Sequence, residues 1–490
     1  MDLAIIIIYT TASALILLYS FSQLNLLFKY FNARKQISPN EILDLTDPLK
    51  VPYVTIQLPL YNEMYVVERL LKNIAQIQYP RKKLEIQVLD DSTDESVIKT
   101  EKLVKELQKE GLDMVHIRRE LRSGFKAGAL KEGLKTAKGE FIAVFDSDFL
   151  PQKDWLLHTL PHFKNSNTGM VQTRWGHINR DYSLLTRIQA FALDFHFIME
   201  QTGRNFGSHF INFNGTAGIW RKSCILDAGN WNGDTLTEDL DLSYRAQMKN
   251  WEFKYLEDVV TPAELPVVIS AAKSQQFRWN KGAAENFQKN FHLLYNDKTQ
   301  SPSTKVHGFF HLLNSSLFFA LLVIAVLSIP ILYIKNSNPQ FGLYFYIMAG
   351  FSISAVIFLI CYWITWTRIY GKGIKSFFRF IGMFFAFFSV AMGLSLHNSI
   401  AVLEGHFGKK SEFIRTPKFN INGLRDSWKG NIYLNNNLSL KIIPEVLLFL
   451  YFVFGVYSAF VLKDFGLIIF HLMLVAGFGF IISKELSAKG

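Results

Sequence analysis

The sequence predicts an α/β domain with a mostly parallel sheet, inserted between transmembrane α-helices. Residues 51 to about 294 alternate short apolar runs with amphipathic stretches, the pattern of parallel strands joined by helical crossovers. Apolar segments of roughly 20 residues, the length that a bilayer core requires, lie on both sides of this stretch. We therefore divide the 490-residue chain into an amino-terminal helix and linker (1–48), a soluble α/β domain (49–300) and a membrane region (301–490).

The amino-terminal apolar run, Leu3–Phe28, is expected to be a permanent membrane span. It lacks a preceding basic region, is too long for a signal peptide, and is followed by no small-residue cleavage site before Lys29. Four further spans are predicted in the membrane region. They lie at about 309–334, 341–366, 443–462 and 465–483.

Phe377–Leu403 is also long and apolar, but we interpret it as a helix in the membrane interface. If it spanned, the basic loop Gly408–Lys418 would lie on the opposite side from Arg368, although short basic loops favour the cytoplasm. The interfacial interpretation gives five spans, with the amino end outside and the carboxyl end inside. The alternative is six spans.

The composition is typical of a mixed membrane protein, with 49% hydrophobic residues and 44 phenylalanines. The net charge of +11 could indicate nucleic-acid binding, but much of the excess Lys and Arg lies in short loops beside apolar segments. No basic stripe interleaved with aromatic residues occurs, so no nucleic-acid partner is expected. The two cysteines, Cys224 and Cys361, predict neither a disulfide framework nor a metal knuckle.

Local periodicity predicts the elements of the soluble domain. The predicted strands are Val54–Leu60, Leu84–Leu89, Met114–Ile117 and Phe141–Phe145, and the predicted helices are Glu63–Gln78, Ser96–Glu110 and Gly124–Ala137. In open parallel sheets, ligands bind outside the carboxyl ends of the strands. The acids at these ends are Asp90, Asp91, Asp146 and Asp148.

The motif FDSD (Phe145–Asp148) is a candidate metal site. It places Asp146 and Asp148 in the turn that ends an apolar strand. A hard divalent cation such as Mg²⁺ or Mn²⁺ binds a few carboxylates together with substrate phosphates. The structural alternative is an Asx turn that caps the next helix. Asp90 and Asp91, at the end of another strand, favour a ligand site.

The motif LDDSTD (Leu89–Asp94) could begin a helix with a hydroxyl cap. Capping does not explain the adjacent acids Asp90 and Asp91, whose carboxylates could accept hydrogen bonds from a ribose or a base. Downstream, Arg122 and Lys126 lie in LRSGFKAGAL. A lysine beside small residues could bind a diphosphate as a point charge.

The motif LTEDLD (Leu236–Asp241) contains candidate catalytic carboxylates. We expect Asp241 to cap the following helix, which leaves Glu238 and Asp239 for a reacting centre. Displacing a nucleoside diphosphate from a sugar requires a base that deprotonates the attacking hydroxyl. A carboxylate in a closed pocket could serve as that base.

The motif QQFRW (Gln275–Trp279) precedes the membrane region. Arg278 could pair with a phosphate or a carboxylate, and the indole of Trp279 offers a flat apolar face on which a sugar could pack. The alternative is a juxtamembrane Arg–Trp pair that anchors the protein at the interface.

In order and spacing, these motifs closely resemble those of inverting, membrane-embedded family 2 glycosyltransferases, especially the cellulose-synthase-like branch of mannan and glucan synthases. The matching motifs are LPLYNE (58–63), QVLDDSTD (87–94), GFKAGAL (124–130), FDSDFLP (145–151), VQTRW (171–175), FNGTAGIWR (213–221), TEDLDL (237–242) and QQFRW (275–279). The resemblance implies a GT-A-type, Rossmann-like fold for residues 49–300. VQTRW and GTAGIWR favour the mannan or mixed-glucan branch over cellulose synthases. RTPK (415–418) resembles the cytoplasmic gating loop of the family.

The resemblance also implies a role for each position. The nucleoside of the donor would be bound by Tyr61, Glu63, Asp90 and Asp91, and its diphosphate by Lys126. The Mg²⁺ or Mn²⁺ ion would be bound by Asp146 and Asp148, and Asp239 would be the general base, supported by Glu238. The diphosphate and the acceptor would be covered by Gln275, Arg278 and Trp279, and the acceptor site would be lined by Asn214, Gly215 and Thr216.

We therefore expect a multi-pass enzyme of the cell (inner) membrane with a cytoplasmic catalytic domain. It would transfer a hexose from GDP-mannose or UDP-glucose to a growing β-linked polysaccharide, such as a mannan, glucomannan or glucan, and translocate the chain. One alternative is a single β-hexosyl transfer to a membrane lipid, and another is a polysaccharide-binding component without catalysis. The donor, linkage, oligomeric state and accessory subunits are left open.

Overall fold

A computed structural model describes residues 1–36, 41–47, 50–411, 413–434 and 442–487. Its soluble part contains a seven-stranded sheet in the order β3-β2-β1-β4-β6-β5-β7. The strands are β1 (Val54–Leu60), β2 (Leu84–Asp90), β3 (Met114–Ile117), β4 (Phe141–Val144), β5 (Thr168–His177), β6 (Gly218–Arg221) and β7 (Glu252–Ala263). Strand β6 runs antiparallel to β4 and β5, whereas the other paired strands are parallel. The predicted mostly parallel sheet is confirmed.

The helices of the amino-terminal and soluble parts follow in chain order. They are α1 (Asp2–Lys35), which precedes the sheet, then α2 (Val67–Ile74), α3 (Ser96–Lys109), α4 (Phe125–Thr136), α5 (Trp155–Thr159), α6 (Leu184–Asp194), α7 (Thr202–Phe206), α8 (Lys222–Asp227), α9 (Glu238–Met248) and α10 (Ile269–Asn296), with a π-helical stretch at Phe195–Gln201. The helix predicted from Glu63 begins only at Val67, because the chain first turns after β1 through Asn62, whose φ is 56°.

The core lies in two layers, one on each face of the sheet. Val54 and Ile56 of β1 pack with α2 and α3 on one face. Ile142 and Val144 of β4 pack with α4, α8 and α9 on the other. Strands covered on both faces are largely apolar, and the buried polar side chains of β1 bond to those of β2, Thr55 to Glu85 and Gln57 to Gln87. Because β1, β2 and β4 are parallel neighbours, their carboxyl ends meet at one edge.

The membrane region continues the helical series. Its helices are α11 (Pro302–Leu313), α12 (Leu317–Ser337), α13 (Gly342–Gly350), α14 (Ile353–Tyr370), α15 (Ile374–Gly393), α16 (Ser395–His406), α17 (Ile442–Val461) and α18 (Ile468–Ser487). Within the described ranges, six helical segments are long and apolar enough to cross a membrane: Asp2–Lys35, Pro302–Ser337, Pro339–Tyr370, Ile374–Gly393, Ile442–Val461 and Ile468–Ser487. They indicate a multi-pass membrane protein.

The predicted interfacial segment, Phe377–Leu403, is divided into α15 and α16 at Leu394. Helix α15 alone has the length and composition of a span. Length and composition do not separate a spanning helix from an interfacial one, so the five-span interpretation stays a prediction. The domain boundaries after residues 48 and 300 stay predictions as well.

Candidate active site

A cavity opens at the carboxyl ends of β1, β2 and β4. Seven of the residues to which the family resemblance assigns a donor, metal or catalytic role line this cavity: Tyr61, Glu63, Asp91, Lys126, Asp146, Asp148 and Arg278. Tyr61 follows β1, Asp91 follows β2 and Asp146 follows β4. The parallel pairing of β1 with β2 and with β4 sets these strand ends side by side.

The loop after β1 is joined to the loop after β2 through Asn62. An asparagine tolerates the left-handed backbone conformation that this turn requires. The Asn62 backbone N–H donates to Ser92 Oγ at 2.7 Å, and Asn62 Oδ1 accepts from the Thr93 N–H at 2.9 Å. These bonds bring Tyr61 and Asp91 to the same side of the cavity.

Two arginines accompany these residues. The Arg122 guanidinium carbon lies 3.4 Å from the centre of the Tyr61 ring, within cation–π range. Arg119 Nε donates to Asp91 Oδ1 at 2.9 Å. Arg122 also lines the cavity, although the family resemblance implies no role for it.

Asp90, by contrast, does not line the cavity. It is buried beneath the loop, where Oδ1 accepts from the Ser92 N–H and Oδ2 lies 2.9 Å from His116 Nε2. Burial raises the pKa of Asp90, but the hydrogen bonds from His116 and Ser92 outweigh it and hold the pKa below its usual value. The predicted contact of Asp90 with a donor therefore has no support in this geometry.

The two acids of FDSD each face a lysine. Lys126 Nζ donates to Asp146 Oδ1 at 2.5 Å and to the Gly215 carbonyl at 2.8 Å. Lys418 Nζ lies 2.7 Å from Asp148 Oδ2. Asp148 Oδ1 is buried and has no hydrogen-bond partner among the described residues.

This donor set fits a hard divalent cation, because carboxylate oxygens are its preferred ligands and Asp148 Oδ1 is free to bind. In the part of the chain that the structure describes, no group of three or more His, Cys, Asp or Glu side chains could hold a metal ion alone. Two carboxylates would therefore need substrate phosphates to complete the coordination.

Gly215 brings LTEDLD next to Lys126. Its φ is +82°, which favours glycine. A Cβ atom at Gly215 would lie 3.0 Å from Asp239 Oδ2 and 3.5 Å from Lys126 Nζ. A side chain at this position would crowd the Asp239 carboxylate, so the close approach of this carboxylate to the loop favours glycine.

Burial strongly affects the charges of this cluster. It raises the pKa of Asp239 to about 7, and the neighbouring charge of Glu238 adds to the shift. Burial also raises the pKa of Glu238. For Lys126, burial lowers the pKa, but the charges of Asp146 and Glu238 outweigh it, so that the pKa is raised. A carboxylate that titrates near neutral pH is suited to accept a proton.

The prediction that Asp241 caps α9 is wrong. Thr237 precedes the first turn of α9 and makes no side-chain cap hydrogen bond. Asp241 is fully buried and pairs with Arg245 at 2.8 Å and Lys289 at 3.0 Å. Because a buried carboxylate needs partner charges, Asp241 ties α9 to α10.

Asn214 and Thr216 hold the loop around Gly215 in place. Asn214 Oδ1 accepts from Gln201 Nε2 at 2.8 Å, and Asn214 Nδ2 lies 3.0 Å from His196 Nε2. Thr216 Oγ1 accepts from the Asp146 N–H at 2.9 Å. Of the three predicted acceptor residues, Gly215 is the one that adjoins the Asp239 carboxylate.

Helix α10 carries QQFRW. Arg278 lines the cavity, whereas Gln275 and Trp279 are half-buried and not among its lining residues. The Trp279 ring lies 6.5 Å from the ring of Trp175, whose buried indole N–H has no partner in the described ranges. In the sequence, Trp175 is only part of the motif VQTRW. Its position beside Trp279 could not be predicted without the tertiary structure.

We call residues 413–434 the covering segment, because its first part lines the cavity through Phe413, Arg415, Thr416 and Lys418. Phe413 stacks on Phe125 with ring centres 5.4 Å apart, and Arg415 lies 3.6 Å from Glu63. Burial raises the pKa of Glu63 to about 7, although the charge of Arg415 opposes this shift. The motif RTPK stood out in the sequence by its basic charge and its resemblance to a gating loop. Its contacts with Glu63 and Asp148 were not predicted.

The comparison with solved structures identifies the class of fold. The structure is similar to that of the mannosyltransferase PcManGT from Pyrobaculum calidifontis, with a TM-score of 0.54 and 20% sequence identity. The similarity covers 84% of this chain and 100% of that one. The mostly parallel sheet between long apolar helices is therefore a GT-A-type glycosyltransferase fold in a membrane protein.

Sequence comparisons identify the family. The model described as "Glycosyltransferase like family 2" matches residues 52–282. The chain is 34% identical to glucomannan 4-beta-mannosyltransferase 2 of Arabidopsis thaliana over 78% of its own length and 69% of that protein. It is 40% identical to probable glucomannan 4-beta-mannosyltransferase 4 of Oryza sativa subsp. japonica over 56% of its length and 50% of the relative. The chain thus spans about half the length of the rice relatives it matches. It belongs to glycosyltransferase family 2.

Proposed function

We propose that this protein transfers a hexose from a nucleotide sugar to a growing β-linked polysaccharide, with inversion at the anomeric carbon. One observation carries the proposal: acidic residues that follow β2, follow β4 and begin α9 converge on one cavity and its rim. Asp91 and Asp148 line the cavity, and Asp239 adjoins it through Gly215 and Lys126. Family 2 membership and the mannosyltransferase relatives support the same conclusion.

The donor binds along the strand ends. Tyr61, Glu63 and Asp91 contact the nucleoside, while Lys126 and Arg278 face its diphosphate. Asp146 and Asp148 would hold a divalent cation, which when bound would neutralise charge on the diphosphate. The buried Asp148 Oδ1, which has no hydrogen-bond partner among the described residues, supports this placement.

The reaction is a single displacement. The acceptor hydroxyl oxygen attacks the anomeric carbon while the Asp239 carboxylate takes the hydroxyl proton. The bond between the anomeric carbon and the phosphate oxygen breaks, and the nucleoside diphosphate leaves. Lys126 and Arg278 stabilise the charge on this leaving group. Glu238 supports Asp239 by raising its proton affinity.

The acceptor sugar rests on the aromatic surface of Trp279, and Trp175 extends this surface. Gln275, one turn before Trp279 on α10, closes over the acceptor and the diphosphate. The product chain leaves through the membrane helices, from a catalytic domain on the cytoplasmic side of the cell membrane.

Contacts at both ends of α15 support five spans. Arg368, at the end of α14, pairs with Glu257 at 2.9 Å and with Asp258 at 2.6 Å. Asn398, in α16, donates to Gln276 of α10 at 2.9 Å. Both ends of α15 are thus tied to the soluble domain, as an interfacial helix would be.

The donor is tested by a screen of nucleotide sugars, with release of nucleoside diphosphate as the readout and Mn²⁺ or Mg²⁺ present. GDP-mannose is the expected donor, because the relatives are mannosyltransferases and the PcManGT structure contains GDP-Man and Mn²⁺. UDP-glucose is the second candidate. Products are then sized: a polymer ladder supports the proposal, and one glycolipid supports single transfer to a lipid. Purified protein that consumes no nucleotide sugar would contradict both.

The pH dependence of kcat/KM follows from the raised pKa of Asp239. A general base must be deprotonated, and this carboxyl titrates near pH 7. We expect kcat/KM to fall about tenfold per pH unit below 7 and to level off above it. Since Glu238 and Asp239 interact, the apparent pKa of this acidic limb describes the two carboxyls together and not Asp239 alone. A limb centred near pH 4 would contradict the role of the buried carboxylates.

A further inference from the structure

Two buried lysines lie on either side of QQFRW in α10. Lys273 precedes Gln275 by two residues, and Lys281 follows Trp279 by two residues. Lys281 is 0% exposed, and Lys273 is 9% exposed. A buried ammonium is costly unless every donor finds an acceptor, so each lysine marks a specific set of contacts.

All three donors of Lys281 are satisfied by the chain that leads into the covering segment. Lys281 Nζ donates to Glu404 of α16 at 3.2 Å, to Ser411 Oγ at 2.8 Å and to the Lys409 carbonyl. An ammonium has three N–H donors, and these acceptors use them all. Ser411 lies only two residues before Phe413, which stacks on Phe125 at the cavity.

Lys273 contacts the chain that follows the covering segment, as Lys281 contacts the chain that precedes it. Its ammonium pairs with Glu445, in the first turn of α17, at 2.5 Å, and with Glu485 in the last turn of α18. Helix α17 is the first described helix after residue 434. The covering segment is therefore held before and after by lysines of the same helix.

The covering segment itself contacts the acids of the cavity through basic side chains. Between these anchors, Arg415 approaches Glu63 and Lys418 pairs with Asp148. Arg278, on the helix that carries both lysines, lies 4.8 Å from the Phe413 ring. A displacement of Lys409 or Ser411 from α10 would shift Phe413 relative to Arg278.

We propose that Lys281 and Lys273 are positioning residues that set the covering segment in register with QQFRW. Lys281 holds the residues just before the segment, and Lys273 holds the helix α17 that comes after it, so that Phe413, Arg415 and Lys418 meet the cavity together with Arg278. The positioning follows from the contacts alone, and only its effect on turnover rests on the proposed function.

The first test is limited proteolysis with trypsin of the full-length protein, in the absence and presence of GDP with Mn²⁺. We expect Lys281→Met to increase cleavage after Lys409, Lys410, Arg415 and Lys418 at least about tenfold, the factor for losing one hydrogen bond to a charged group. Lys273→Met should instead increase cleavage after Arg425 and Lys429. GDP with Mn²⁺ should slow cleavage less in the variants than in the wild type.

Lys289→Met is the matched control, because Lys289 lies on the same helix and is also ion-paired, but contacts Asp234 and Asp241 instead. It should leave cleavage in the covering segment unchanged. If Lys281→Met does not fold, Ser411→Ala removes one acceptor and leaves the lysine, and should increase cleavage after Lys409 and Arg415 by a smaller factor. Equal cleavage in Lys281→Met and the wild type, or an equal increase in Lys289→Met, would overturn the proposal.

The second test separates positioning from general destabilisation. At equal amounts of folded protein, Lys281→Met should raise the KM for the nucleotide sugar and lower kcat, since the covering segment contacts the donor cavity. A merely structural role would lower the active fraction and leave KM unchanged. If no nucleotide sugar is turned over by the wild type but the cleavage pattern follows the lysines, the proposed function fails and the positioning survives.

Discussion

Replacing Asp239 with asparagine should lower turnover about 10²- to 10⁴-fold, the contribution of a general base. The amide keeps the shape of the side chain beside Gly215 but cannot accept the acceptor proton. Binding of the nucleoside diphosphate should persist, because Asp239 does not line the cavity that contains Tyr61, Asp91 and Asp148. Steady-state kinetics and calorimetric binding of GDP with Mn²⁺ measure the two effects separately.

Asp234→Asn provides the control for this variant. Asp234 lies in the loop just before α9, but its side chain is 58% exposed and pairs with Lys289. Its removal should leave turnover within about twofold, since exposed ion pairs contribute little. Asp239→Asn with near wild-type turnover would show that another group takes the proton.

Replacing Asp148 with asparagine should lower turnover at least about 100-fold and abolish the dependence of nucleotide binding on Mn²⁺, because a bound cation contributes several kcal/mol of charge stabilisation. Asp148 supplies one of the two carboxylates in FDSD, and its buried Oδ1 has no hydrogen-bond partner within the described ranges. Its replacement also leaves Lys418 facing a neutral amide. Chelation of divalent cations should reduce wild-type turnover to a similar level.

The matched substitution is Asp154→Asn. Asp154 lies six residues further along the chain, where it pairs with His158 away from the cavity. This variant should retain Mn²⁺-dependent binding and turnover. An Asp148→Asn enzyme that keeps more than a tenth of wild-type turnover, with unchanged metal dependence, would argue against the cation site.

The strands of the central sheet could be predicted because their burial is a local property of the sequence. β1 and β3 have the predicted limits, and β2 ends one residue later, at Asp90. Every residue of β2 is buried, and its polar side chains Glu85 and Gln87 are hydrogen-bonded to Thr55 and Gln57 of β1. The rule that ligands bind outside the carboxyl ends of parallel strands placed Asp91, Asp146 and Asp148 at the ligand-binding edge.

Individual side chains near these strand ends could not be predicted so well. Asp90 and Asp91 are adjacent, but successive residues at the end of a strand point to opposite faces. Asp91 therefore lines the cavity, while Asp90 turns to His116. Asp241 had the spacing of a helix cap, but its partners Arg245 and Lys289 come from one turn later and from another helix.

The sequence by itself determined the alternation of strands and helices, the apolar membrane segments and the motifs of family 2, because periodicity, length and spacing are read along the chain. Only the tertiary structure decided that Lys126 joins Asp146 to the Gly215 carbonyl, and that Lys418 reaches Asp148. These contacts join residues up to 270 positions apart. Such pairs depend on how helices pack around the sheet, and no local pattern records that packing.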